Sequence, residues 1–173
     1  MSQIVLETSR CYMREFHPAD AVSIVALNQH PDIFRFTTDP PFKSVDEARA
    51  FLESYPAYRT NGFGRWAVLL KSDNSFVGWS GLKYLQSENE VDVGYRLLPE
   101  FWGMGIGPET GAACIRYGFE LGIKRIVARV HKENYRSQRV SEKLGMRYEC
   151  DLFYNCIPWM NYSINATDNV RYY

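Results

Sequence analysis

Apolar positions along this chain repeat with two periods, and the switches between them mark out an ordered series of elements. Ile4 to Leu6 and Cys11 to Arg14 suggest a first strand. Val22, Val25 and Ala26 recur at helical spacing, predicting a helix over Asp20 to Gln29 with Asp20 as its cap. Ser44 to Tyr58 places Ala48, Phe51, Leu52 and Tyr55 on one face behind a Ser44/Glu47 capping box. N-G-F-G at Asn61 to Gly64 punctuates the chain. Trp66 to Leu70 and Ser75 to Leu82 then read as paired strands around a polar turn. From Val91, apolar residues alternate with Asp92, Gly94 and Arg96, the pattern of a half-buried strand that Pro99 ends. Ala112, Ile115, Phe119 and Gly122 line one side of a helix, with Gly122 as its C-cap. A strand over Arg125 to Val130, a helix from about Asn134 to Gly145, and a hairpin of Arg147 to Phe153 with Trp159 to Ile164 complete the series.

Two stretches stand outside these periods. F-R-F-T-T-D-P-P-F, Phe34 to Phe42, is a proline-broken aromatic loop that reads as a connector packing Phe side chains on the core. The other, F-W-G-M-G-I-G-P, alternates Gly103, Gly105 and Gly107 before a helix. Glycines allow positive φ and close backbone approach, and free N–H groups at a helix start favour a phosphate or another anion. Pro108 suits the first helical position, where no N–H is needed. A dinucleotide fingerprint fails because its last glycine would be Pro108 or Thr110, and no Gly-Lys-Ser/Thr follows for a phosphate loop. Alone, the stretch also reads as a turn without a ligand.

Composition narrows the classes. At 173 residues the chain fits one domain, 1–173, able to bury roughly 70% of its unfolded surface. Lys plus Arg and Asp plus Glu both number 20, which argues against nucleic-acid binding by bulk charge. No apolar run approaches a membrane span and no signal pattern opens the chain, so a cytoplasmic protein is expected. Cys11, Cys114, Cys150 and Cys156 form no C-x-x-C pair, and no histidine falls at zinc-ligand spacing. Reduced, mostly buried thiols and no metal are expected. The N-x-S/T matches at Asn161 and Asn165 are chance matches in such a chain.

With its flanks, D-V-G-Y-R-L-L-P-E-F-W-G-M-G-I-G-P-E-T resembles the cofactor motif of the GCN5-related N-acetyltransferases (GNATs). It is most similar to the RimJ/RimL branch, whose members acetylate ribosomal-protein N-termini; Trp102 is usual there. Asp92 stands where the branch has Glu, and Pro108 where it has Thr. N-Y-R-S-Q-R-V-S-E-K-L-G-M resembles the family's second signature, R-C-Y-M-R the branch's opening, and F-V-G-W-S-G-L a family strand. The resemblance spans roughly residues 4–165. It implies an α/β (α+β) fold: a mixed, mostly antiparallel central sheet flanked by helices, with splayed central strands.

The implied activity is direct transfer of acetyl from acetyl-CoA to a primary amine, with no acyl-enzyme, since no cysteine lies in either motif. By resemblance, backbone groups of Met104, Gly105, Ile106 and Gly107 hold pyrophosphate, Tyr95 and Leu97 hold pantetheine, and Trp102 and Asn134 complete the cofactor site. A backbone N–H near Tyr95 polarises the thioester. The Tyr that many GNATs use as acid is replaced by Ser141; Ser137, the branch's candidate, is the implied acid, and Asn134 and Ser137 also stand where a helix start wants caps. Asp92 is either a base acting through water or a charge that is solvated or binds the acceptor's ammonium, with Glu90 one strand repeat away. Glu109 is expected to stabilise the helix start. The acceptor implied is a protein N-terminal α-amine. A polyamine, hinted at by the acidic S-E-N-E-V-D, an aminosugar, an antibiotic or toxin, and a non-catalytic acyl-CoA-binding module are the alternatives. Phe34, Phe36, Phe42, Trp79 and Trp159 line a pocket or belong to the core. The protein is expected to act as a monomer or homodimer.

Overall fold

The computed structural model describes residues 3–171. Eight strands form one sheet in the order β1-β2-β3-β4-β5-β6-β8-β7. They are β1 (Ile4–Glu7), β2 (Cys11–Arg14), β3 (Arg65–Leu70), β4 (Phe76–Leu85), β5 (Glu90–Leu97), β6 (Arg125–His131), β7 (Arg147–Tyr154) and β8 (Ile157–Asn165). Every neighbouring pair is antiparallel except β5 and β6, which run parallel. The helices are α1 (Ala21–Gln29), α2 (Pro31–Phe34), α3 (Val45–Glu53), α4 (Ala57–Asn61), α5 (Ile106–Glu120) and α6 (Tyr135–Lys143). This is the mixed, mostly antiparallel sheet flanked by helices that the sequence implies. No helix among the described residues is long and apolar enough to cross a membrane.

Alternation along the strands sorts side chains to two faces. On one, Val77, Leu82, Val91, Val93, Ile126, Ala128 and Val130 pack with Ala112, Ala113 and Ile115 of α5. On the other, α1 and α3 bury Ile24, Leu27, Ala48 and Leu52 against Phe76 and Trp79. A fully buried Leu or Ile contributes on the order of 1.5–3 kcal/mol, so these two layers hold the sheet between them.

Several expectations change in the structure. The first strand is a hairpin of two, because Thr8 turns the chain by accepting the Cys11 N–H with its hydroxyl. Six of the seven residues from Ala21 to Leu27 are apolar, so more than one stripe fits; Ala21, Ile24 and Leu27 face inward while Val22 is 63% exposed. Asp20 does not cap α1 with its side chain, which instead accepts from Arg14 at 2.7 and 2.8 Å and from the His17 N–H. The long helix over Ser44 to Tyr58 breaks into α3 and α4, since Pro56 lacks the N–H to continue it. Ser44 caps the Glu47 N–H, but Glu47 reaches back to Lys43 rather than Ser44. Val91, Asp92 and Val93 are all buried, so β5 is covered on both faces rather than half-buried. Only Cys11 and Cys114 are buried; Cys150 and Cys156 are exposed at the far hairpin.

That hairpin is tied to the sheet by Glu149. Its carboxylate accepts from Arg125 at 2.6 and 2.7 Å, from the Ser163 hydroxyl at 2.6 Å and from the Asn161 amide at 3.1 Å. The hydrogen bonds from Arg125, followed by that from Ser163, lower its carboxyl from 4.5 to about 2. A depressed folded-state value stabilises the fold above the unfolded value and loses that contribution as pH falls through the folded one. The melting temperature of the wild type should therefore fall more steeply than that of Glu149→Gln between pH 4.5 and about 2. Parallel melting curves across that window would contradict this.

Candidate functional site

β5 and β6 pair only at Val91↔Ile126 and Asp92↔Val127, then diverge. Asp92 sits in the fork, where one carboxylate oxygen accepts the Arg129 N–H at 3.3 Å and the other accepts from the Arg65 guanidinium. Along the opposite edge of β5, the Leu98 N–H donates to the Val77 carbonyl. Antiparallel bonding alternates, so Leu97 and Tyr95 turn their backbone groups toward the gap. The Leu97 carbonyl is taken there by the Trp102 indole N–H at 2.7 Å. The Leu97 N–H and both backbone groups of Tyr95 remain directed at the gap.

The glycine loop closes one end of it. Gly103 and Gly105 adopt φ of 79° and 80°, the left-handed region in which a Cβ is costly. Gly105 caps α5, so the first turn begins at Ile106 and Pro108 is its third residue rather than its first. Pro108 still lies where helical N–H groups have no intrahelical partner. It costs the helix nothing and removes one potential anion donor. The Glu109 N–H makes a turn-closing bond to the Gly105 carbonyl at 3.2 Å. Backbone N–H groups from Met104 to Gly107 thus stand at the positive end of a fifteen-residue helix.

Glu109 does more than favour the helix start. It accepts the Ser9 hydroxyl at 3.1 Å, the Arg10 N–H at 3.0 Å and Arg10 Nε at 2.8 Å, while Arg10 Nη1 donates to the Met104 carbonyl at 2.7 Å. The β1–β2 turn therefore braces the glycine loop. A hollow of about 310 Å³ lies between Ser9, Arg10, Gly105, Pro108, Glu109 and Lys143. Burial works against the Glu109 anion, but hydrogen bonds from Thr8, Arg10 and Ser9 outweigh it and hold the carboxyl below its usual value.

At the other side of the gap, Asn134 caps α6 by accepting the Ser137 N–H at 3.1 Å. The Tyr95 ring lies against Gly107, where an added Cβ would meet it at 3.1 Å, and its phenol neighbours the Ser137 side chain. Tyr95, Gly107, Asn134 and Ser137 are thus brought together. Asp92 projects from the opposite face of β5, Met104 is half-exposed, and Trp102 is turned back onto Leu97, beneath Arg136.

The Asp92 face carries a layer of ion pairs. Arg65 bonds Asp92 and the Gly81 and Gly94 carbonyls, and it shares the Trp79 ring with Arg96 at 5.1 and 5.2 Å. Arg96 donates to Asn28 at 2.5 Å and to Asp39 at 3.2 Å. Arg129 pairs with Glu88 and Glu90, and Arg125 with Glu90 and Glu149. Burial pushes the Asp92 carboxyl up against the opposing pull of Arg65. Beside this layer, Phe36 meets His131 at 5.3 Å, His131 meets Trp159 at 5.4 Å, and Trp159 meets Tyr154 at 6.1 Å. Phe42 and Trp79 pack with the α1–α3 layer, and Phe34 is 46% exposed. Sequence reasoning missed Arg65 and Arg129; the signal available was a charged residue held within an apolar strand pattern. Burial raises the Cys114 thiol to about 11, which leaves it inert. No group of three metal-ligating side chains occurs among the described residues.

Residues 10–147 match the family described as "Acetyltransferase (GNAT) domain". The Bacillus subtilis protein YkkB is 34% identical over 149 residues, covering 83% of this chain and 85% of its own. A GNAT-family acetyltransferase structure from Bacillus anthracis superposes with a TM-score of 0.80 at 25% identity, covering 94% of this chain and 99% of that one. The ribosomal-protein-S5-alanine acetyltransferase of Vibrio fischeri shares the fold, with a TM-score of 0.79 at 20% identity and coverage of 96% and 98%.

Removing the Arg65 guanidinium would leave the Asp92 charge buried and short of a partner. Arg65→Met should lower unfolding free energy by about 3–5 kcal/mol in urea titration, and Asp92→Asn added to it should restore part of the loss. Additive losses in the double variant would show that the two side chains act independently.

Proposed function

The chain belongs to the GNAT acetyltransferase family, and from that premise we propose that it acetylates the N-terminal α-amine of a protein, as the RimJ/RimL branch does. Acetyl-CoA supplies the activated acetyl group. We assign its pyrophosphate to the N–H groups of Met104, Gly105, Ile106 and Gly107, which fit an anion by their number and by the helix end behind them. Pantetheine is assigned to the free backbone groups of Tyr95 and the Leu97 N–H. The Leu97 carbonyl already serves Trp102, so Trp102 shapes the site by fixing this strand end. Asn134 holds the start of α6, and with it Ser137, in place.

The Tyr95 N–H is the donor to the thioester oxygen as negative charge grows there. Ser137 gives its proton to the leaving sulfur, with the Tyr95 phenol as its neighbour. An α-amine with a pKa of about 8 is partly neutral near pH 7, so water suffices to carry off its proton. Asp92 has both oxygens engaged and acts here as a positioning residue that sets the fork. Glu90, already held by Arg125 and Arg129, is not needed as a base.

The observation that carries the choice of acceptor is the state of the acids. The S-E-N-E-V-D stretch suggests a polyamine site, yet Glu88, Glu90 and Asp92 are each paired with arginine. A polycation would have to displace those pairs, whereas a peptide brings a single amine. The Vibrio fischeri relative gives a precedent for such an acceptor on this fold. A cytoplasmic enzyme follows from this acceptor class.

Free-CoA release should be measured with peptides beginning Ser, Ala or Met, alongside spermidine and glucosamine. Release is expected with a peptide, and Ser137→Ala should lower kcat about 100-fold while acetyl-CoA still binds. Release with spermidine or glucosamine alone would overturn the acceptor assignment, and an unchanged kcat in Ser137→Ala would remove the acid.

A further inference from the structure

Three polar atoms buried on the Asp92 face of the sheet have no hydrogen-bond partner: Trp159 Nε1, Arg129 Nε and Asn161 Oδ1. They form one patch. Trp159 and Asn161 lie two apart on β8, and the register sets them opposite His131 and Arg129 of β6. Asn161 is 5% exposed, and its amide orientation is fixed because Nδ2 donates to Glu149, so Oδ1 can only accept. Arg129 Nε–H is a donor on the residue opposite. These two are a donor and an acceptor on register partners, and so complement each other.

Trp159 Nε1 has no such complement. The indole is flanked edge-on by His131 at 5.4 Å and Tyr154 at 6.1 Å, which hold it in place. Its N–H is donor-only, and a buried donor left unpaired is costly. What pairs it must bring a hydrogen-bond acceptor atom. The charge of Arg129 is already balanced by Glu88 and Glu90, and Tyr154 lies 5.7 Å under its guanidinium. The patch therefore calls for a neutral acceptor such as an amide carbonyl rather than for an anion. A protonated polyamine offers only donors and would leave the indole N–H unpaired. The patch also adjoins the reacting end of the gap. His131, register partner of Trp159, accepts the Asn134 N–H with its carbonyl at 2.8 Å, and Asn134 starts the helix that carries Ser137.

Building on the N-terminal acceptor reading above, we infer that the Trp159 indole N–H binds the backbone carbonyl of the acceptor's first residue. The site then reads an aminoacyl unit, an amine with a carbonyl one carbon away, rather than an amine alone. Phe36, His131 and Tyr154 provide apolar walls around that unit.

The test pairs one enzyme change with one substrate change. Trp159→Phe keeps an aromatic ring and deletes the N–H. The substrate pair is a short Ser- or Ala-initiated peptide and its analogue with a trans-alkene in place of the first peptide bond, which removes the carbonyl oxygen without adding charge. Wild type should prefer the peptide by about tenfold in kcat/KM, the scale of one neutral hydrogen bond. Trp159→Phe should lose that preference while acetyl-CoA affinity and melting temperature stay unchanged. Equal use of both substrates by wild type would overturn the inference and leave the N-terminal acceptor standing, with a fixed water satisfying the indole. A preference kept in Trp159→Phe would also overturn it. Wild type that acetylates neither substrate but does acetylate glucosamine or spermidine would overturn both readings.

Discussion

Asp92 is the carboxylate on which the architecture turns. A strand pair that continued past Val127 would close the sheet; instead the acid accepts the Arg129 N–H from β6 and the guanidinium of Arg65 from β3. The first contact stands in for a ladder bond at the point where the strands part. The second spans from β3 across β4, where Arg65 also bonds the Gly81 carbonyl, and so ties three strands to one charge. Burial raises this carboxyl, and those groups pull it back toward the anion.

The two faces of the fork then carry different chemistry because strand alternation separates them. Tyr95 faces α5 and α6, next to the glycine loop and Ser137, while Asp92 faces the arginine layer and the aromatic run from Phe36 to Tyr154. Only backbone groups of β5 belong to both sides. An amine arriving on one face and a thioester held on the other would meet there without either having to pass the other, which suits direct transfer better than a shuttling nucleophile.

Local pattern made much of this legible. The paired strands, the glycine loop and the Asn134 cap each depend on neighbours within a few residues, so spacing alone reported them. The misread parts depend on partners far along the chain or on ambiguous composition. Arg65 and Asp92 are 27 residues apart, and nothing near Asp92 in sequence announces its partner. The apolar run at Ala21 to Leu27 fits more than one stripe, and only packing against α3 selects one. Pro56 was readable as a helix break, yet the apolar face running through it suggested continuity. For the site, backbone direction in the gap follows from register, which a single sequence does not display.

The brace between the first hairpin and the glycine loop has a consequence for how the molecule assembles. Ser9 and Arg10 reach Glu109 across 100 and 99 residues, and Arg10 reaches Met104 across 94. Contacts so distant along the chain form only after the loop-closure entropy between them has been met. The glycine loop and its helix can take shape locally, but the arginine that steadies the loop arrives only when β2 has joined β3 and the intervening half of the sheet is in place. The braced form of that loop is thus gained late in folding, together with completion of the sheet.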